Sequence, residues 1–120
     1  MISAEEKRNV VNRYIELFEK KDIGMIREMY ADDATVEDPY GTEAKVGIEA
    51  ICEFYQAGFG MDVQLTLQGE PRCAGDSVAF AFQVKMTGMT INAIDVFQFN
   101  EAGKVMSMKA YWGPDNATQG

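Results

Sequence analysis

The chain has 120 residues, 47% hydrophobic and 25% charged, the size and balance of one globular domain. Nineteen Asp and Glu against eleven Lys and Arg give a net charge of −8, which repels phosphate backbones and anionic lipid and argues against nucleic acid or a membrane surface as partner. There is no histidine, so a Ser-His-Asp triad, a Cys-His dyad and a His-ligated metal are all excluded, and proton transfer near neutral pH falls to retuned carboxyls, phenols, lysines or thiols.

The opening MISAEEKR has no apolar run of the kind a signal peptide carries, and no stretch reaches the ~18 apolar residues of a membrane span. The expected location is the cytoplasm. Ser3 and Glu6 form an S-x-x-E capping box, which opens a helix carrying Val10, Tyr14, Leu17 and Phe18 at helical spacing. Asp22 caps a short second helix with Met25, Ile26 and Met29 on one face, and Tyr30 continues that stripe. Ala34 to Asp38 reads as a strand that Pro39 stops, because proline has no N–H for the ladder. Ile48, Ile51, Phe54 and Tyr55 mark a third helix, ending near Gly58 and Gly60.

Beyond Gly60 the apolar period changes from helical to two. Val63, Leu65 and Leu67 alternate with polar neighbours, then Val78, Phe80, Phe82, Val84 and Met86. A turn at Thr87-Gly88-Met89 leads to Ile91, Ala93, Asp95, Phe97 and Phe99. A second turn at Glu101-Ala102-Gly103 leads to Met106, Met108, Ala110 and Trp112. Helices followed by hairpin-linked strands predict an α+β fold, with three N-terminal helices packed on a curved, mainly antiparallel sheet. A single domain over residues 1–120 is expected, ordered from about 3 to 113, with a polar C-terminal tail that frays. Cys52 and Cys73 form no CxxC and no metal spacing; buried inert thiols is the reading, and a disulfide between them stays open.

Asp95 breaks the pattern of its strand. It points the same way as Ile91, Ala93, Phe97 and Phe99, and its neighbours Ile94 and Val96 are apolar as well. A carboxylate without polar company is costly, so the group should keep its proton and act as a hydrogen-bond donor. The competing reading is a half-open face where Asp95 is solvated or paired with a lysine. Asp38 ends a strand beside Val36, either as a second functional acid or as a plain Asp-Pro turn starter. Tyr14, Tyr30 and Tyr55 lie on apolar helical stripes, as core phenols with backbone acceptors or as a chain of linked hydroxyls.

The stretch Tyr30-Ala31-Asp32-Asp33-Ala34-Thr35-Val36-Glu37-Asp38-Pro39 resembles the signature of the bacterial ketosteroid isomerases, within the cone-shaped NTF2-like α+β superfamily. Arg13-Tyr14 is similar too, as are Ile94 to Asn100, the Gly103-Lys104-Val105 turn and the Ala110-Tyr111-Trp112-Gly113 ending. The likeness runs from about Val10 to Gly113 in matching order. It implies a steroid Δ-isomerase that needs neither cofactor nor metal and takes a small apolar ketosteroid. In that family's terms Asp38 is the base, and Tyr14 and Asp95 form the oxyanion hole. Tyr55 and Tyr30 extend the hydrogen bonds behind Tyr14, and Phe54, Phe80, Phe82, Met86, Met108 and Trp112 fall on or beside pocket-lining positions. A homodimer through the outer side of the sheet is implied as well.

Two other functions fit the same pattern. One is a different enzyme on this fold, such as a polyketide cyclase, a dehydratase or an epoxide hydrolase. Epoxide opening favours an Asp–Arg–Asp cluster, yet Arg13, Arg27 and Arg72 are off the apolar strand faces. The other is a non-catalytic carrier of apolar ligands.

Overall fold

A computed structural model describes residues 2–119. Three helices are present: α1 (Ala4–Lys20), α2 (Ile23–Met29) and α3 (Ile48–Phe59). The strands are β1 (Tyr30–Glu37), β2 (Lys45–Val46), β3 (Gln64–Leu67), β4 (Arg72–Ala74), β5 (Ser77–Met86), β6 (Met89–Phe99), β7 (Val105–Tyr111) and β8 (Ala117–Gln119).

Local chemistry sets the helix ends. Ser3 Oγ accepts from the Glu6 N–H at 3.1 Å while Glu6 Oε1 accepts from the Ser3 N–H at 3.2 Å, satisfying two donors that an unpaired helix start leaves open. Lys21 turns left-handed (φ 54°) to close α1, and Asp22 Oδ1 then caps α2 through the Gly24 N–H at 3.0 Å. That close spacing folds α2 away from α1 without a long loop.

The sheet runs β2-β1-β7-β6-β5-β3, with β4 joined to β5 and β8 to β6. Every pairing is antiparallel except β1 with β7, because β1 leaves the helical layer and enters beside the last long strand in the same direction. The fold is therefore α+β, three helices on a mostly antiparallel open sheet, as the change of period predicts. Between the layers lie Val11, Leu17, Ile26 and Ile51 from the helices and Val36, Val78, Phe97 and Val105 from the sheet, all without solvent exposure. Each such side chain contributes about 1.5–3 kcal/mol by leaving water. Both cysteines are free, Cys52 buried and Cys73 half-buried. No helix of the described residues is long and apolar enough to cross a membrane.

The structure departs from the sequence pattern in four places. Tyr30 is not on α2: it closes that helix in an extended conformation (φ −92°, ψ 146°) and starts β1, which is longer than predicted. The short β2 and β4 carry no alternation that a period-two reading could detect. Trp112 lies just past the end of β7. The C-terminal segment, through Gln119, carries structure beyond Gly113. A 3₁₀ turn at Pro114–Asn116, closed by the Gly113 N–H on Asn116 Oδ1 at 2.8 Å, reverses the chain, and Ala117, Thr118 and Gln119 pair with Ile91, Thr90 and Met89. Trp112 is consequently anchored from both sides.

Candidate active site

A mostly apolar cavity of about 300 Å³ opens between α1, α3 and the inner face of the sheet. Its polar lining is Tyr14, Asp38, Tyr55, Asp95 and Trp112, drawn from five separate segments. The three residues assigned to catalysis on the resemblance therefore meet in one place.

Asp95 stands on β6 opposite Phe80 of β5 and Ala110 of β7. It is 1% exposed, and its Oδ1 has no hydrogen-bond partner. Ala110 across the ladder and Ala93 two residues earlier are too small to cover it, so its carboxyl reaches the cavity. Burial, and then the charge of Asp38, push its pKa well above the usual carboxylate range. The half-open, solvated alternative is excluded by this burial. In its neutral form Asp95 carries an O–H that can donate into the cavity.

Asp38 follows β1 directly. The Tyr40 N–H donates to the Ala110 carbonyl at 2.7 Å, which ties the Asp38 loop to β7, and Thr42 Oγ1 donates to the Pro39 carbonyl at 2.7 Å within the loop. Trp112 Nε1 donates to Asp38 Oδ1 at 2.7 Å. Burial raises the pKa of Asp38, while the Trp112 N–H and the Lys45 charge draw it back down. The two acids thus share a cavity, and burial raises both, but their other surroundings differ. Asp38 has a donor and a cation that favour its anion; Asp95 has neither, and the anion of Asp38 further favours its neutral form.

Tyr14 enters from α1 with its ring edge-on to Phe97 (5.1 Å between centroids) and Phe80 (5.9 Å). Its hydroxyl is 3.0 Å from that of Tyr55, which is 2.6 Å from that of Tyr30. Burial, the largest cause for each, holds all three phenols well above their ordinary pKa. The three hydroxyls form the linked chain that the sequence reading offered as an alternative to separate core phenols.

Phe54, Phe82, Met86 and Trp112 line the cavity as expected. Tyr30, Phe80 and Met108 do not. Tyr30 lies behind Tyr55, Phe80 is buried beneath Phe82 (5.4 Å) and Tyr14, and Met108 packs at the level of Phe97 and Val36. Phe80 and Met108 are on the face that their strand alternation predicts; the pattern of a strand reports face, not depth along it, and the sequence spacing sets Tyr30 on a helical stripe instead. The sequence reading also missed Phe18, Val63, Leu65 and Ile91 as wall residues. For Leu65 and Ile91, both opposite Val84, the shared parity with Phe82 and Asp95 was the available signal; for Phe18 it was the apolar stripe of α1 that also carries Tyr14. It missed the Trp112 N–H on Asp38 entirely, since no local pattern links residues 74 positions apart.

No arginine lines the cavity: Arg13 pairs with Glu28 and Arg27 with Glu49 at the surface, and Arg72 is exposed. No cluster of three or more His, Cys, Asp or Glu among the described residues is placed to hold a metal.

The Trp112 contact makes a prediction. Trp112→Phe keeps a ring in the wall but removes the donor to Asp38, so the acid limb of any reaction that uses the Asp38 anion moves to higher pH. A loss of roughly tenfold below that limb, fading above it, is expected from a pH–rate profile, the scale of one hydrogen bond to a charged group.

A model of the SnoaL-like domain matches residues 11–108. A steroid Δ-isomerase of Nocardioides simplex is 37% identical over 117 residues, covering 94% of each chain. In shape the chain is similar to an epoxide hydrolase/cyclase-like enzyme, SalBIII, which has a role in pyran ring formation in polyether salinomycin. The TM-score is 0.91 with 27% identity, over 100% of both chains.

Proposed function

The chain belongs to the SnoaL-like family and within it to the ketosteroid isomerases, and from that premise we propose that this isomerase moves the double bond of a 3-oxo-Δ5-steroid to the conjugated Δ4 position. The observation that carries this reading is the pairing of Asp38 and Asp95 in one apolar cavity, one with a donor and a cation that stabilise its anion, the other with an unpartnered buried oxygen. Two carboxyls pushed apart in this way are the established division of labour in ketosteroid isomerases as a class.

In the proposed reaction the steroid carbonyl oxygen accepts hydrogen bonds from Tyr14 and Asp95. Ionised Asp38 removes a proton from the carbon between carbonyl and alkene. The electron pair spreads through the carbonyl and the alkene to give a dienolate, with charge gathered on the oxygen. Two preorganised donors in a water-poor cavity stabilise that charge more than water would. Asp38 then returns the proton two carbons along, completing the conjugated enone. One carboxylate serves both transfers, so the lack of histidine is no obstacle. The test is ultraviolet absorbance on mixing protein and a Δ5-3-ketosteroid, since conjugation makes the product absorb where the substrate does not. A rapid rise is expected; no rise, together with saturable binding of an apolar phenol, would move the function to a ligand carrier. Epoxide opening is less well supported, because the arginine it favours is not in the cavity.

The same proposal includes a homodimer through the outer face of the sheet. Ile94 (47% exposed) stands opposite Tyr111 (44%), and the Tyr111 ring lies 5.2 Å from that of Tyr40 (54%). An exposed apolar patch of this kind favours burial against a second copy. Wild-type protein is expected to sediment at twice its 13.4 kDa mass and Ile94→Lys as a monomer. A monomeric wild type would remove the dimer from the proposal.

A further inference from the structure

We propose that Lys45 is a positioning residue for proton transfer: its ammonium, set over the ring of the cavity residue Phe54, is the counter-charge that holds Asp38 as an anion until substrate arrives. The inference rests on the reading of Asp38 as the base.

Sheet register carries the argument. β2 is antiparallel to β1 with Lys45 opposite Val36. Residues opposite one another in a ladder share a face, and Val36 is fully buried, so Lys45 enters the inner side while Val46 (66% exposed) faces out. Asp38, just past the end of β1 and two residues beyond Val36, lines the cavity on that inner side. Lys45 and Asp38 are therefore diagonal neighbours, a spacing that long side chains bridge.

The ammonium is also held in place. Lys45 Nζ lies 5.7 Å from the centre of the Phe54 ring, and Phe54 and Asp38 both line the cavity. A cation over an aromatic face is attracted by the ring quadrupole. Lys45 is in no salt bridge among the described residues; those formed use Arg13, Lys20, Lys21 and Arg27. Its charge is thus not already neutralised by a carboxylate partner.

The other groups around Asp38 do not supply a cation. Trp112 offers a neutral N–H from beyond β7; Tyr14 from α1, Tyr55 from α3 and Tyr30 from β1 are neutral phenols; Asp95 from β6 is an acid, whose pKa burial and the charge of Asp38 hold well above the usual carboxylate range. Glu43, on the loop between Asp38 and Lys45, is exposed. Among the described residues Lys45 is the cation that acts on Asp38, and it has no counterpart at Asp95. One edge-strand lysine thereby helps to separate the two acids into base and donor.

The test is the pH dependence of kcat/KM for wild type, Lys45→Met and Lys45→Arg. Methionine keeps most of the stem over Phe54 but removes the charge. Lys45→Met is expected to lose roughly two- to fivefold below the acid limb, the range of a partly exposed charge interaction, with the loss shrinking as pH rises. Lys45→Arg should restore the limb. An acid limb that stays in place in an active Lys45→Met overturns the proposal, because a packing role alone would change KM or stability without moving it. Carbon-13 NMR titration of the Asp38 carboxyl in Lys45→Gln gives a readout free of turnover. An upward displacement supports the proposal and an unmoved titration overturns it. Failure of the isomerase reading is separate: it shows as absence of steroid turnover by the wild type.

Discussion

Asp38→Asn is expected to lose about 10⁴-fold in kcat, at the upper end of what a general base contributes, because the same carboxylate removes the proton and returns it. Asparagine has almost the same shape and can still accept from the Trp112 N–H, but it cannot take a proton from carbon. The loss should appear in kcat and kcat/KM together, with little change in binding of an apolar phenol, since the walls Phe54, Phe82 and Met86 are untouched. Substantial turnover by Asp38→Asn would remove Asp38 from the mechanism. For the wild type, the raised pKa of Asp38 has a definite sign: activity falls as pH drops through the folded-state pKa, since the anion is the working form. That limb should lie above the range of an ordinary aspartate.

Asp95→Leu should lose about 10²–10³-fold in kcat, the scale of one oxyanion donor, and should also be more stable than wild type at neutral pH. The two effects have one cause. The carboxyl is buried, and its Oδ1 is unpartnered when no substrate is bound, an arrangement that costs roughly 1–3 kcal/mol. Its folded-state pKa is raised, so the folded chain keeps a proton that the unfolded chain releases above about pH 3.9. Stability contributed by Asp95 is therefore full below that value and declines as pH rises toward the folded-state pKa. Leucine removes the polar atom and this pH dependence together. Thermal unfolding of both proteins at pH 4 and pH 8 checks it: the advantage of the variant should grow with pH. A variant that is slow because it is misfolded would be less stable at both. Normal turnover by Asp95→Leu would sink the donor assignment.

Much of the fold was legible because local rules set it. Ser3 and Glu6 announced α1, Asp22 announced α2, and the shift to period two after Gly60 announced the long β5–β6 hairpin. The elements missed are those with too few residues to show a period, β2, β4 and β8. Each exists because a neighbouring strand offers unpaired backbone groups, and an edge can recruit a short segment whatever its side chains. Tyr30 shows the same limit from the other side. Its spacing fits the helical stripe, yet pairing with Val105 draws it into the sheet.

The sequence by itself determined the class of chemistry. Without histidine, proton transfer was left to carboxyls, phenols, lysines or thiols, and an aspartate inside an apolar strand marked the carboxyl expected to stay neutral. It also determined which face each strand residue would present, because the alternation is built into the pleat. What tertiary structure alone decided was depth and company. Phe80 and Phe82 share a face, but only Phe82 reaches the cavity, because the β5–β6 register sets Phe80 level with Asp95, under the Tyr14 ring. Asp38 and Trp112 become partners only when β1 and β7 lie side by side and β8 anchors the tail. Asp38 and Asp95 are both aspartates, and no local pattern sets them apart; burial raises both, and chain folding brings the Trp112 N–H and the Lys45 charge to offset it at Asp38, while at Asp95 the charge of Asp38 adds to it.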